Sequence, residues 1–259
     1  MRLLVCVKRV PAPGARINVT ADGRSVETAH LGFTTSPHEE CAVEEAVRLV
    51  EAHGGSVTVL TIGPPEAEEQ LRHAASVGAT DLVLVPTDGQ EPGSSWDPQR
   101  TAAVLVAAIG ALEAAGGPFD LVLFGNESAD SGGFQVGIRV ARRLGRPMVS
   151  GIKGIDIGSE TITARRAVDG GFEVYELPRP AVLGVKEGIN LPRYPTMKGR
   201  LASKKVELVT MALDAAPGGQ VSKGLRRPEE QASTTEILGH GPEAASRVVD
   251  VLIELGVLS

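Results

Sequence analysis

Four short, unbroken apolar runs constrain this chain more than anything else in it: "RLLVCVK" (2–8), "SVTVLTIG" (56–63), "DLVLVPT" (81–87) and "FDLVLF" (119–124). Runs of this length without polar alternation predict strands covered on both faces, as in a parallel sheet. Parallel strands need crossover connections, and the intervening segments supply helices. In "PHEECAVEEAVRLVEAHGG", Val43, Ala46, Val47 and Val50 recur at helical spacing, with Pro37 at the start and Gly54 at the end, where helices favour them. "DPQRTAAVLVAAIGALEAAGG" predicts a second helix, apolar nearly all round and therefore expected to be well buried. The alternation predicts an α/β fold: a parallel sheet with helices on both faces and right-handed crossovers.

The texture changes near residue 150. "GIDIGSETITARRAVDGGFEVYELPRPAVLGV" (154–185) has β-branched runs broken by "GS" and "DGG", which signal hairpins and hence antiparallel strands added to the sheet. "NLPRYPTMKGRLASKK" (190–205) shows no period and reads as a loop. "LDAAPGGQVSKGLRRPEEQAS" (213–233) reads as an extended arm, and "PEAASRVVDVLIELGVLS" (242–259) as a helix with Ala245, Val248, Val249 and Leu252 on one stripe. The expected division is an α/β nucleotide-binding domain over 1–212, then an arm and C-terminal helix over 213–259. That helix packs either on its own domain or on another subunit.

Composition removes several classes. The chain has 259 residues, and aromatics make up only 3% of it, too few for a base-stacking nucleic-acid module. A net charge of −6 also disfavours nucleic acid as a partner. No run of about 18 apolar residues is present, so membrane insertion is not expected. The N-terminal "MRLLVCVKRVPAPG" reads as a strand rather than a signal peptide, and a cytoplasmic protein is expected. Cys6 and Cys41 are the only cysteines, without spacing for zinc or a disulfide framework. HExxH, GxSxG and P-loop patterns are missing. "GHGPEA" (239–244) fits a dinucleotide pattern by letter, but no strand leads into it. His38 reads as a solvated helix-start histidine, and Glu39, Glu40, Glu44 and Glu45 as a solvated helix face.

Ligands of parallel sheets gather beyond the carboxyl ends of the strands. The loops there are "CVKRVP", "TIGPP", "PTDGQ" and "GNESADSGG". The last has the composition of a phosphate cradle. Gly132 and Gly133 can take positive φ and turn successive N–H groups inward. Asp130 and Ser131 can cap the following helix, whose N-terminus adds partial positive charge.

In order along the chain, "VCVKRVP", "SPHEECAVEEAVRL", "TVLTIGP", "LVLFGNESADSGGFQVG", "DGGFEVYELPRPAVLGV" and "NLPRYPTMKG" resemble the β subunit of an electron transfer flavoprotein. The resemblance spans nearly the whole chain. It implies an adenine-nucleotide-binding, Rossmann-like fold and a heterodimer with a larger α subunit that carries most of the redox FAD. It also implies electron transfer from flavin dehydrogenases, such as acyl-CoA dehydrogenases, toward the quinone pool through a quinone oxidoreductase. The β subunit is then a carrier component rather than a stand-alone catalyst, and no metal site is expected.

In the common branch of the family this subunit buries a structural AMP. By position, the resemblance assigns that site to Cys6; to Ser36, Pro37, His38 and Glu39; to Ile62; and to Gly125, Asn126, Glu127, Ser128, Ala129, Asp130, Ser131, Gly132, Gly133, Phe134, Gln135 and Val136. It assigns dehydrogenase docking to Pro195, Thr196 and Met197. The chain departs from the family at Gly132, Gly133 and Phe134, where further Asp, Asn or Thr residues are common. It departs again at Pro13, where better-known members carry an aromatic residue near the flavin, at Ala167 for a carboxylate and at Ala202 for a lysine. Two alternatives remain open at this point: a bifurcating type with a second FAD in the β site, and a non-redox adenine-nucleotide-sensing module.

Overall fold

A computed structural model of the chain describes residues 1–87, 96–228 and 235–258. The end of the expected "PTDGQ" loop, the "EEQAS" of the arm and Ser259 lie outside the described residues. The elements run β1 (Arg2–Cys6), β2 (Val10–Pro11), β3 (Phe33–Thr34), α1 (Pro37–His53), β4 (Ser56–Gly63), α2 (Glu68–Ser76) and β5 (Asp81–Pro86). They continue with α3 (Pro98–Gly116), β6 (Leu121–Gly125), α4 (Val136–Leu144), β7 (Met148–Ile157), β8 (Thr161–Val168), β9 (Gly171–Pro178) and β10 (Ala181–Val185). The last are α5 (Met197–Ser203), β11 (Leu208–Thr210) and α6 (Ala245–Glu254).

All four apolar runs are strands of one nine-stranded sheet, ordered β11-β5-β4-β1-β6-β10-β7-β8-β9. From β11 to β7 every pairing is parallel, and β8 and β9 then add antiparallel. Val5 of the central β1 stands between Val59 of β4 and Leu123 of β6. Because strand side chains alternate, each central strand feeds two cores. Leu3, Val5, Val57, Val59, Leu82 and Leu84 meet α1 and α2 on one face. Leu4, Cys6, Leu60, Ile62, Val83 and Phe124 meet α3 and α4 on the other. These layers are the α/β architecture that the alternation predicts.

Two expectations about elements need correction. The 190–205 segment is not all loop: Met197–Ser203 is helix α5, whose N-cap Thr196 accepts from the Gly199 N–H at 3.0 Å. It packs on α2, where a Cβ at Gly199 would lie 2.2 Å from the Ser76 carbonyl oxygen. Helix α3, apolar nearly all round, buries only one stripe, formed by Ala102, Val104, Leu105, Ala108 and Ile109. Alanines tolerate the exposed face at little cost, and their helix propensity keeps the helix regular.

The chain forms two compact units, Met1–Leu225 and Arg226–Ser259. In the second, α6 follows a short 3-10 turn at Gly241–Ala244. None of its described residues is buried, and Val248, Val249 and Ile253 stand 42%, 44% and 53% exposed.

Candidate functional site

The strand order reverses at β1: the chain proceeds outward through β4 and β5, then crosses to β6 on the other side. Loops diverge at such a point and leave a crevice at the carboxyl ends of the strands. A cleft of about 510 Å³ opens there. Its floor is made of Cys6, Val7 and Lys8 after β1, Ile62 of β4, Glu39 of α1 and the end of β6. The loop from Gly125 to Gly137 forms one wall. Trp96, Asp97, Thr101 and Gln220–Ser222 form the other, while Met148, Ser150 and Gly184 close one end.

Twelve of the residues expected at a nucleotide site line this cleft: Cys6, Glu39, Ile62, Gly125, Asn126, Glu127, Ser128, Ser131, Gly133, Phe134, Gln135 and Val136. Ser36, Pro37, His38, Ala129, Asp130 and Gly132 do not line it. Ser36 is buried and caps α1 in a reciprocal box: its Oγ accepts from the Glu39 N–H at 3.2 Å, and the Glu39 carboxylate accepts from the Ser36 N–H at 2.9 Å. The Ser36 hydroxyl also donates to the Glu127 carbonyl oxygen at 3.2 Å. His38 is not a solvated helix-start residue. The Glu187 N–H donates to its Nδ1 at 2.7 Å, which leaves Nε2 to carry the proton, and Nε2 lies 3.4 Å from Glu127 Oε1. Helix α1 is thus tied to the cleft loop and to the segment after β10 by the same imidazole.

The glutamates of α1 are not a solvated face either. Glu39 and Glu44 are 6% and 5% exposed. Glu44 and the exposed Glu51 hold the guanidinium of Arg193 at 2.9 and 2.6 Å, which raises the pKa of Arg193 further. Asn190 donates to the Cys41 carbonyl at 3.0 Å and to Glu45 at 2.8 Å. Their partners lie far off in sequence, where a charge-pattern reading along one helix cannot see them. Burial pushes Glu39 up to about 8, against the opposing pull of the Ser36 N–H and of Lys8. At neutral pH this floor group is therefore mostly a neutral acid, able to donate as well as accept.

The glycine-rich loop departs from expectation in its details. Gly132 adopts positive φ (52°), but its companion is Phe134 (54°), not Gly133. Asp130 and Ser131 do not cap α4, which begins only at Val136 behind Gln135 without a side-chain cap. Asp130 instead accepts from Lys8 Nζ at 2.6 Å and from the Ser131 N–H at 2.7 Å. Burial works to raise its pKa, but the Lys8 charge and these hydrogen bonds hold it below the usual carboxylate range. The first-turn N–H groups of α4 at Val136, Gly137 and Ile138 donate to no group among the described residues, as helix starts require. They leave donors and a partial positive charge at the cleft wall, on the side where Lys8 pairs with Asp130.

Sequence reasoning missed Lys8, Trp96, Asp97, Thr101, Met148, Ser150, Gly184 and Gln220–Ser222 as cleft residues. Lys8 lies inside the strand-end loop "CVKRVP", and its position two residues past the end of β1 is the usable signal. The arm residues gave none.

A mostly parallel sheet with a cleft at its reversal point, one wall a glycine-bearing loop feeding a helix N-terminus, defines a doubly wound α/β protein. Residues 25–216 match the electron transfer flavoprotein domain, and the chain belongs to that family, with β subunits as its relatives. It is 35% identical over 216 residues to electron transfer flavoprotein subunit beta of Mycobacterium tuberculosis, covering 82% of this chain and 79% of that one. It is 32% identical over 262 residues to the subunit beta of Bacillus subtilis, covering 97% of each. Protein FixA of Bradyrhizobium diazoefficiens is 30% identical over 266 residues, covering 97% and 91%.

Proposed function

We propose that this chain is the β subunit of a heterodimeric electron transfer flavoprotein and that its cleft holds AMP in a structural role. The α subunit would carry the FAD, which accepts electrons from flavin dehydrogenases such as acyl-CoA dehydrogenases and passes them toward the quinone pool. The observation that carries the AMP reading is the cleft itself. It combines an apolar floor at Cys6 and Ile62 with the free N–H groups of α4 and the cation of Lys8 on the polar side. Ile62 and Cys6 suit an adenine face. The α4 N–H groups, Ser131 and Lys8 suit a phosphate, each charge-assisted hydrogen bond contributing roughly 1.5–3 kcal/mol. The neutral Glu39 acid removes the repulsion that an ionised floor carboxylate would bring.

The docking role falls to the segment after β10. Met197 is 75% exposed, and Leu191 (90%), Tyr194 (94%) and Leu201 (60%) of the same segment are exposed as well. Arg193 and Asn190 clamp the backbone beneath this apolar tip onto α1, which supports a preformed docking surface. The uncovered stripe of α6 supports a partner subunit for the second compact unit.

The test is to purify the chain with its α subunit, denature the complex and identify the released nucleotides by mass spectrometry. One AMP and one FAD per heterodimer is the expected result. Two FAD and no AMP would assign the cleft to a second flavin, and one FAD alone would overturn the nucleotide role.

A further inference from the structure

We propose that the segment 211–225 is a strap closing the nucleotide cleft, with Gln220, Val221 and Ser222 as nucleotide-contacting residues and Asp97 as the residue that positions them. This rests on the reading that the cleft holds an adenine nucleotide, and it adds a binding wall supplied by chain far from the glycine-rich loop. The strap starts where β11 ends: the Met211 N–H donates to the Leu84 carbonyl at 2.9 Å and continues the parallel ladder by one residue. Met211, Leu213 and Ala215 then lie against the core shared with α3 and α4. Asp214 accepts from the Arg100 guanidinium at 2.7 Å, and that guanidinium sits 4.4 Å over the ring of Trp96, another cleft residue. At the far end the Leu225 N–H donates to the Gly23 carbonyl at 2.7 Å.

Asp97 fastens the middle. One carboxylate oxygen accepts from the Arg100 N–H at 2.7 Å and caps α3, and the other accepts from the Gln220 N–H at 3.3 Å. Gly218 packs against the same carboxylate. The approach is so close that a Cβ on Gly218 would lie 2.6 Å from both Asp97 oxygens and 2.5 Å from Gln99 Cβ. A side chain at 218 must therefore lift the strap off its anchor. Fastened, the strap presents to the cleft an amide side chain, a hydroxyl and the 80% exposed isopropyl group of Val221. Those are groups for the hydroxyls and the apolar faces of a nucleoside, not for its phosphate. The strap thereby complements the Lys8 and α4 side, which serves the phosphate.

The experiment uses the full heterodimer and follows exchange of bound AMP for isotopically labelled AMP. Gly218→Ala detaches the strap sterically. Asp97→Ser keeps a competent cap on α3 but is too short to reach the strap. Both variants should release AMP about tenfold faster or more, the factor for losing one hydrogen bond to a charged group. Amides 216–224 should lose hydrogen-exchange protection in both, while FAD absorbance stays at the wild-type level. Wild-type exchange rates in both variants would overturn the strap and leave the nucleotide reading standing. A wild-type complex with no adenine nucleotide would overturn the reading on which it rests.

Discussion

Replacing Gly125 by alanine tests the joint between the cleft loop and helix α1. Gly125 ends β6, and a Cβ there would meet Glu39 Cγ at 2.6 Å, the Glu39 backbone nitrogen at 3.0 Å and His38 Cβ at 3.2 Å. None of these is the free end of a flexible side chain. Both residues sit in the first turn of α1, and the Ser36–Glu39 box pins that turn from two sides. Forcing a methyl group into a packed site costs about 1–3 kcal/mol. For a unit of this size each kcal/mol lowers Tm by roughly 2–4 °C, so Gly125→Ala should melt about 2–12 °C below wild type. The loop from Asn126 begins at this residue, so the same displacement should lower the nucleotide recovered with the complex. Gly171→Ala is the control: its Cβ would meet nothing within 4 Å, it is not among the residues at positive φ, and it stands on β9 outside the cleft lining. Scanning calorimetry and nucleotide quantification on the three purified complexes decide the matter. A Gly125→Ala complex that melts with wild type and keeps its nucleotide refutes the steric argument.

Burial raises Glu39 from an ordinary 4.5 to about 8, so the folded chain holds this proton more tightly than the unfolded one. Its stability contribution is full below pH 4.5 and is lost as pH rises through about 8. Glu39→Gln should therefore flatten the stability–pH curve over that window in denaturant titrations, and an unchanged slope would contradict the burial argument. Met197→Ala removes an exposed side chain and should leave stability within about 0.5 kcal/mol of wild type while slowing reduction by a dehydrogenase. A large loss of Tm would instead make Met197 a packing residue. A chain ending at Leu225 should keep the melting behaviour of the first unit yet fail to co-purify with an α subunit, and undiminished co-purification would remove the second unit from the interface.

What could be read from the sequence and what could not divide along local and tertiary lines. The strands β1, β4, β5 and β6 announce themselves because burial on both faces leaves only apolar residues, and α1 because its stripe repeats. The hairpin of β8 and β9 is marked by its turn residues. Helix α5 was invisible because "MKGRLAS" has a glycine where helices disfavour one, and that glycine exists to let α5 approach the carbonyl end of α2. The burial of Glu39 and Glu44 was equally hidden: charges on a helix look solvated until Arg193 or a cleft wall is placed against them. The glycine loop was found by composition, but its left-handed positions were assigned to Gly132 and Gly133 when the second belongs to Phe134. A phenylalanine at positive φ is uncommon enough that no composition rule offers it. The strap carries no periodicity, and its role emerges only from what Asp97 and Gly218 touch.

The position of β11 at the sheet edge has a consequence during synthesis. Its partner β5 is complete at Pro86, while Leu208 lies more than a hundred residues further along. At ribosomal rates of roughly 5–20 residues per second, the β5 edge waits about 6–24 seconds for its neighbour. Throughout that time Leu82, Val83, Leu84 and Val85 offer an apolar strand with unpaired backbone groups, a template for mispairing with other nascent chains. The strap follows β11 directly, so the part of the cleft wall made by Gln220–Ser222 is missing until the same late moment. A polypeptide cut short before Thr210 therefore carries an open β5 edge and lacks the Gln220–Ser222 side of the cleft.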